Sequence, residues 1–398
     1  MRILFTTVQR HGHLQMLVPL ARAAAAAGHV VAFACAASFR PHVERAGFAA
    51  FPAGFDERGR AMPELYPGLR AVPLPAVAEW WIPRVAAGLW AAAMTPDLLT
   101  IAREWRADLV VRDAMEYGGC LAAEVLGLPH AVVRTGSTTS RYGLRQQLVA
   151  GPLARLRELN GLPPDPDCAM PFRYLHLAAE PPGFGVPGEV PAPTTHYLRP
   201  IEADRAGDET LPTWVAPLPD RPTVHASVGT VFGAYPEGRA IVAAILAALR
   251  EEPLTLIVTV GPDADPAQYG PQPAHVHLAR YIPHSALLPR CAVFITHGGY
   301  GSVMAGLNAG VPLVVLPISA DQPYNAACCA ALGVGTVVEP DDRTPEAIRE
   351  AVRLVLSDPS YRAQAERVRD AMAALPGPEY GVYLLERLAA EQRPLLRE

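Results

Sequence analysis

Short, uninterrupted apolar runs alternate with helix-patterned stretches twice over in this chain. A run that is apolar at every position is buried on both faces, which is how strands of a parallel sheet read when helices cover it. In the first half the runs are Arg2–Thr7, Val30–Ala34, Phe48–Phe51, Asp108–Arg112 and His130–Val133. Helical patterns lie between them at Leu14–Ala27, where Gly28 stands as the stop, around Pro41–Ala46 and at Tyr117–Leu126. Such an order predicts βαβ units in a doubly wound α/β domain.

The same pattern restarts at Thr223–Ser227 and continues through a helix at Glu237–Arg250 and runs at Leu254–Val260, Val293–Thr296, Leu313–Leu316 and Thr336–Val338. Between about Pro181 and Pro222 prolines crowd in and the periodicity fades, as in a linker. The tail is helical from about Thr344, broken at Pro376 and Pro378, and helical again to about Gln392. The predicted domains are 1–205, a linker at 206–220, a second domain at 221–376 and a terminal helix at 377–398. A chain of 398 residues accommodates two such domains, at about 100–200 residues each. They are expected to face each other across a cleft.

Composition removes several function classes. The net charge of −5 leaves no basic surplus to displace counterions, so nucleic acid is not expected as a partner. All 34 basic residues are arginine, which excludes a Walker-type phosphate loop, a pyridoxal Schiff base and the protein-kinase lysine. The cysteines (35, 120, 168, 291, 328 and 329) form no C-x-x-C pair and read as reduced core residues. MRILFTT resembles a buried strand rather than a leader, and the apolar stretches read as shorter than the ~18 residues of a spanning helix. A soluble, cytoplasmic protein without a membrane partner is expected.

Ligands of open α/β sheets gather at the carboxyl ends of the strands. The first strand runs into VQRHGHLQM, where Gly12 permits a tight turn and His13 opens the first helix. A helix N-terminus disfavours an imidazolium, which suits a general base near neutral pH; a capping or surface histidine is the other reading. DLVVRD ends in Asp113, which could hydrogen-bond the His13 ring, fix its tautomer and stabilise its protonated form. Asp113 could equally cap the next helix.

The strongest local signal is FITHGGYGSVMAGLNAGVPLVVLP, Phe294 to Pro317. A strand ends at Thr296, His297 with Gly298, Gly299 and Gly301 forms a loop, and Ser302 opens a helix. Glycines let the backbone approach an anion, the helix start supplies N–H groups, and His297 and Ser302 add donors: a diphosphate site built without lysine. The alternative is a close-packed turn with no ligand. The dinucleotide fingerprint fits poorly, because no ribose-binding acid follows at its usual distance. PISADQPYNA then brings Asp321 and Gln322, either ligands for hydroxyl groups or an ordinary cap. Ser227-Val-Gly229-Thr230 adds a glycine turn with two hydroxyls.

Asp165-Pro-Asp167 and Asp263-Ala-Asp265 match a D-x-D metal motif but sit in proline-rich loop sequence, so no metal site is expected. Trp80, Trp81, Trp90 and Met94 either line an apolar acceptor pocket or pack the core of a long helix.

The glycine–histidine after the first strand, the His-Gly-Gly-x-Gly-Ser loop and the Asp-Gln after the next strand resemble the family-1 glycosyltransferases of the GT-B fold. The closest likeness is to actinobacterial enzymes that glycosylate polyketides, macrolides and other natural products. The resemblance implies two Rossmann-like domains and a last helix that crosses back onto the first. It also implies inverting, metal-independent transfer of a sugar from a UDP or dTDP donor to a hydroxyl, or a C or N atom, of a hydrophobic acceptor. His13 would be the base, supported by Asp113. His297, Gly298, Gly299, Gly301 and Ser302 would stabilise the departing diphosphate, with Ser227 and Thr230 completing that site. Tyr281 and Ile282 would hold the nucleobase, and Asp321 and Gln322 would meet sugar hydroxyls. No cofactor beyond the sugar nucleotide is implied, and a monomer or homodimer is expected.

The chain departs from the pattern at Met16, where the family often has proline, although Pro19 is in place. Tyr300 replaces a small residue inside the glycine loop. His11 rivals His13, but helix register favours His13. Two other enzyme readings share the fold, a nucleotide-sugar epimerase and a cell-wall sugar transferase. A non-catalytic partner of another transferase has no need of His13, Asp113 and His297 together, and a periplasmic binding protein would carry a leader.

Overall fold

The computed structural model describes residues 1–60, 62–73, 76–136, 142–201, 211–215, 221–229, 233, 235–262 and 264–397. The chain divides into two compact units: Met1–Glu180 with Glu189–Ala203 and Leu375–Glu398, and Pro181–Gly188 with Asp204–Ala374. Pro181–Gly188 therefore groups with the second unit, where the sequence places it in the first domain. Of the linker expected at 206–220, only 211–215 fall among the described residues.

The first unit is built on seven parallel strands: β1 (Arg2–Thr6), β2 (Val30–Cys35), β3 (Ala49–Pro52), β4 (Leu109–Asp113), β5 (His130–Val133), β6 (Leu175–Ala178) and β7 (Thr195–Tyr197). Their order is β3-β2-β1-β4-β5-β6-β7. Ile3, Leu4 and Phe5 are all buried, as a strand covered on both faces requires. Phe5 pairs in register with Phe33 on one side and Val111 on the other. The last two strands are not predicted from the sequence. They are three or four residues long, and β7 lies in the proline-rich stretch.

The terminal helix Pro378–Glu391 places Val382, Leu384, Leu385 and Leu388 in the core that holds Ile3, Leu17, Leu20 and Leu177. His29 Nε2 meets Glu386 Oε1 at 2.9 Å, and Arg199 N donates to Pro376 O at 2.8 Å. The helix thus belongs to the first unit.

One helical stretch, Val77–Trp105, is long and apolar enough to cross a membrane by length and composition alone. This corrects the expectation that no apolar stretch reaches spanning length. Its middle, Ile82–Trp90, is a π-helix, a rare form that appears at functional sites. Trp81, Ile82, Val85, Trp90, Met94 and Leu98 turn into the protein core.

The second unit carries β8 (Thr223–Ser227), β9 (Thr255–Thr259), β10 (Val276–Ala279), β11 (Val293–Thr296), β12 (Leu313–Val315) and β13 (Gly335–Val337), all parallel. Their order is β10-β9-β8-β11-β12-β13. In each sheet the first strand lies beside the fourth, so the strand order reverses between β1 and β4 and between β8 and β11. Crevices for ligands open at the carboxyl ends of such switch points.

Candidate active site

His13 lies in the first turn of the helix His11–Ala26, just beyond β1, and Asp113 is the last residue of β4. The two meet across the first switch point: His13 Nδ1 is 3.1 Å from Asp113 Oδ1. Thr135 Oγ1, just past the end of β5, is 3.0 Å from the same nitrogen. Asp113 is buried and surrounded by donors. Oδ2 accepts from Val8 N at 2.7 Å and Thr7 Oγ1 at 3.0 Å, while Oδ1 accepts from Met115 N at 2.6 Å and Glu116 N at 3.2 Å. Burial alone would raise the Asp113 carboxyl, but the His13 ring and these donors outweigh it and hold the group below the ordinary carboxylate range. An ionised carboxylate only accepts, so the proton sits on Nδ1 and the lone pair on Nε2. Asp113 therefore organises its own turn and orients the histidine at once. His11 instead packs edge-on against Phe39 and His42.

In the second unit the ends of β8 and β11 flank the other switch point. Ser227 Oγ accepts from Gly229 N at 3.2 Å, closing its own turn. The His297 ring lies against two glycines. A Cβ on Gly229 would stand 2.6 Å from its Cε1, and one on Gly299 would stand 2.5 Å from its Nε2. Burial pulls the ring down to about 4, against a hydrogen bond from the ring to the Ser227 backbone carbonyl, so His297 is neutral at physiological pH. The helix Tyr300–Asn308 begins here with no side-chain cap. Gly301 is exposed and Ser302 half-buried in its first turn, where helix N–H groups can meet an anion. Tyr300 is buried edge-on against Phe184.

Asn325, which the sequence reading missed, braces this loop. Its Nδ2 donates to Gly298 O at 2.7 Å and to Asp321 Oδ2 at 3.1 Å. Gln322 Oε1 accepts from Ile318 N and Ser319 N at 2.8 and 3.0 Å, so its carbonyl holds the turn after β12. Ala320, beside Asp321, sits at φ 60°, a left-handed conformation uncommon for a residue with a Cβ. After β10, Ile282 is buried and Tyr281 is 43% exposed. Thr230 and Asp263 lie outside the described residues.

Trp81 and Trp90 pack edge-to-face at 5.4 Å, with Tyr66 against Trp81 at 4.7 Å. Trp90 Nε1 donates to Tyr66 Oη at 2.9 Å, and Tyr66 Oη to Glu57 at 3.3 Å. Trp80 is half-buried beneath Arg84. Trp90 and Met94 also border a cavity of about 30 Å³ with Thr7, Val8, Gln9, Phe55 and Glu116. Asp165 accepts from Met170 N and pairs with Arg173, and Asp265 caps a short turn through Ala267 N. Both therefore serve local structure.

Residues 22–161 match the N-terminal domain, and residues 244–388 the C-terminal domain, of the erythromycin biosynthesis protein CIII-like family. The chain belongs to that family. This CIII-like chain is 30% identical to the 10-deoxymethynolide desosaminyltransferase of Streptomyces venezuelae, over 99% of this chain and 98% of that protein. It is 31% identical to the 4'-demethylrebeccamycin synthase of Lentzea aerocolonigenes, over 97% and 99%. The crystal structure of the glycosyltransferase VinC in complex with dTDP superposes with a TM-score of 0.80 at 29% identity, covering 98% of this chain and 100% of that one. The CIII-like chain is thus a glycosyltransferase of antibiotic biosynthesis, with the two parallel-sheet, Rossmann-like halves of the GT-B fold.

Proposed function

We propose that this glycosyltransferase transfers a sugar, with inversion and without a metal, from a dTDP-sugar to a hydroxyl of a hydrophobic natural-product acceptor. The observation that carries the reading is the 3.1 Å contact between His13 Nδ1 and the buried, ionised Asp113. It leaves Nε2 as the acceptor of a proton on a side chain that is still one-fifth exposed. The acceptor O–H gives its proton to Nε2, and its oxygen bonds to the anomeric carbon from the face opposite the diphosphate. The anomeric C–O bond to the diphosphate breaks, and dTDP leaves with that electron pair. Asp113 stabilises the imidazolium until solvent takes the proton.

On the donor side, His297, Gly298, Gly299, Gly301 and Ser302 would spread the negative charge growing on the diphosphate, with Ser227 beside them. These donors support the metal-free reading. Tyr281 and Ile282 are assigned to the base and Asp321 to the sugar; for Gln322 only the amide NH2 is assigned to the sugar, since its carbonyl holds a turn. The thymidine preference follows the relative that holds dTDP. For the acceptor, the edges of Trp90 and Met94 on the small cavity are assigned to an apolar contact. The enzyme is taken to act in the cytoplasm as a monomer or homodimer.

The test pairs binding with turnover in EDTA. The protein is incubated with dTDP-sugars and a panel of polyketide aglycones, and the anomeric configuration of the product is read by NMR. His13→Ala should lower kcat by about 10²–10⁴-fold while dTDP still raises the melting temperature. A product of retained configuration, or an unchanged rate in His13→Ala, would reject the mechanism. Loss of dTDP binding in wild-type protein treated with EDTA would reject the metal-free donor site.

A further inference from the structure

Glu116 lies in the turn after β4, three residues beyond Asp113, with its side chain buried. Its Oε2 accepts from Thr6 Oγ1 at 2.5 Å and from Gly119 N at 2.9 Å. The approach is close because residue 119 is glycine: a Cβ there would stand 2.6 Å from Oε2 and 2.7 Å from Thr6 Oγ1. The main-chain N–H of Glu116 donates to Asp113 Oδ1. The buried Arg112 ties the same turn from the other side, donating from Nη1 to the carbonyls of Asp113 and Glu116 at 3.1 and 3.0 Å. The Glu116 carboxyl thus pins β1 to the turn whose N–H groups hold the Asp113 carboxylate.

We propose that Glu116 is a positioning residue for the His13–Asp113 pair: a second buried carboxyl that anchors the turn carrying Asp113 and whose ionisation places a further negative charge beside it, strengthening His13 as a base. This rests on His13 being the base.

Burial pushes the Glu116 carboxyl up to about 7; the Thr6 hydrogen bond opposes the rise, the Asp113 charge adds to it, and Arg112 and Gly119 oppose it. Other groups facing it stay uncharged near neutral pH. β1 presents Thr6, the helical stretch Val77–Trp105 presents Trp90 and Met94, and the loop after β1 presents Gln9. Burial drives the Cys120 thiol, on the helix Gly118–Leu126, up to about 12. Glu124, further along that helix, is paired with Arg157 and Arg173. Below neutral pH the carboxyl therefore holds a proton, and among the described residues the negative charge paired with His13 is that of Asp113. Above it, two negative charges favour the imidazolium that transfer creates.

Glu116→Gln keeps an oxygen to accept from Thr6 and Gly119 but stays neutral at every pH. Its kcat/KM should lie near wild type at about pH 6 and about tenfold below it at about pH 8.5. Thr6→Val retains the acid but removes the hydroxyl that favours its charged form, so it should move the rise in kcat/KM to higher pH. A pH profile of kcat/KM unmoved in Glu116→Gln, or unmoved in Thr6→Val, overturns the inference. Full activity in His13→Ala overturns the base assignment instead, so the two failures are read from different variants.

Discussion

His13 Nδ1 is shared by two partners, Asp113 Oδ1 at 3.1 Å and Thr135 Oγ1 at 3.0 Å. Only the first is a charged acceptor, so it decides the tautomer. Asp113→Asn preserves the volume but can turn an NH2 toward the ring, moving the imidazole proton to Nε2. Steady-state kinetics should show kcat reduced by about 10²–10⁴-fold with little change in the KM for the sugar nucleotide. Thr135→Val should lower kcat only a few-fold, as the loss of a neutral hydrogen bond of about 1 kcal/mol would. A larger loss in Thr135→Val than in Asp113→Asn would reverse these roles.

The donor side should be sensitive to a single methyl group. Gly229→Ala places a Cβ 2.6 Å from His297 Cε1 at a φ of 74°, and Gly299→Ala places one 2.5 Å from Nε2. Each must push the ring aside. Calorimetric titration with dTDP should show at least tenfold weaker binding for both variants, about 1.4 kcal/mol. Wild-type affinity in both would detach His297 from the diphosphate.

Asn325 supplies a different test, because it braces the glycine loop without being assigned to the ligand. Asn325→Ala leaves the buried Gly298 carbonyl without its 2.7 Å donor. Urea unfolding should show a loss of about 1–3 kcal/mol, and the donor KM should rise while the acceptor KM stays level. A change confined to the acceptor KM would contradict the brace.

Acid should weaken the fold before any carboxylate titrates in the ordinary range. Burial holds His176 and His225 down to about 3 and His297 to about 4, from 6.5. The unfolded chain therefore binds these three protons first as pH falls. Their stabilisation is complete above about 6.5 and is lost as pH drops toward 4 and then 3, at up to about 1.4 kcal/mol per unit per histidine. Glu116 runs the other way: its carboxyl, raised from 4.5 to about 7, costs stability as pH climbs through that interval. Melting temperature should therefore fall from about pH 6.5 to pH 5, and fall more steeply in Glu116→Gln than in wild type. A flat profile in wild type would mean that the histidines are not buried neutral.

Strands β1, β4, β8 and β11 were legible because each is an unbroken apolar run between helix signals, and the residues at their ends followed. His13, Asp113 and the His297 loop could be named without a structure for that reason. β6, β7 and β10 each carry a histidine inside a short run, so they do not read as unbroken apolar runs, and neighbouring strands decide their conformation. Thr135 and Glu116 were missed although both lie just beyond a strand's carboxyl end. What gives them meaning is proximity to residues 122 and 110 positions away. Asn325 stands one helical turn after Asp321, but its bond to Gly298 spans 27 positions and leaves no local trace. The tryptophans on the long helix posed a different difficulty, since an apolar side chain looks the same in sequence whether it faces a ligand or a neighbour.

The terminal helix shapes how this enzyme can be recombined with its relatives. Its leucines complete a core whose strands were made some two hundred residues and more earlier, so the first unit joins Met1–Glu180 and Glu189–Ala203 to Leu375–Glu398, with most of the second inserted between the last two in sequence. A hybrid joined at one point in the linker would pair one parent's sheet with the other parent's closing helix, and the mismatch would fall on Leu17, Leu20 and Leu177. Exchange of the second unit from Asp204 onward needs two junctions, one near Asp204 and one before Leu375. The parent's own helix then still seals the first unit.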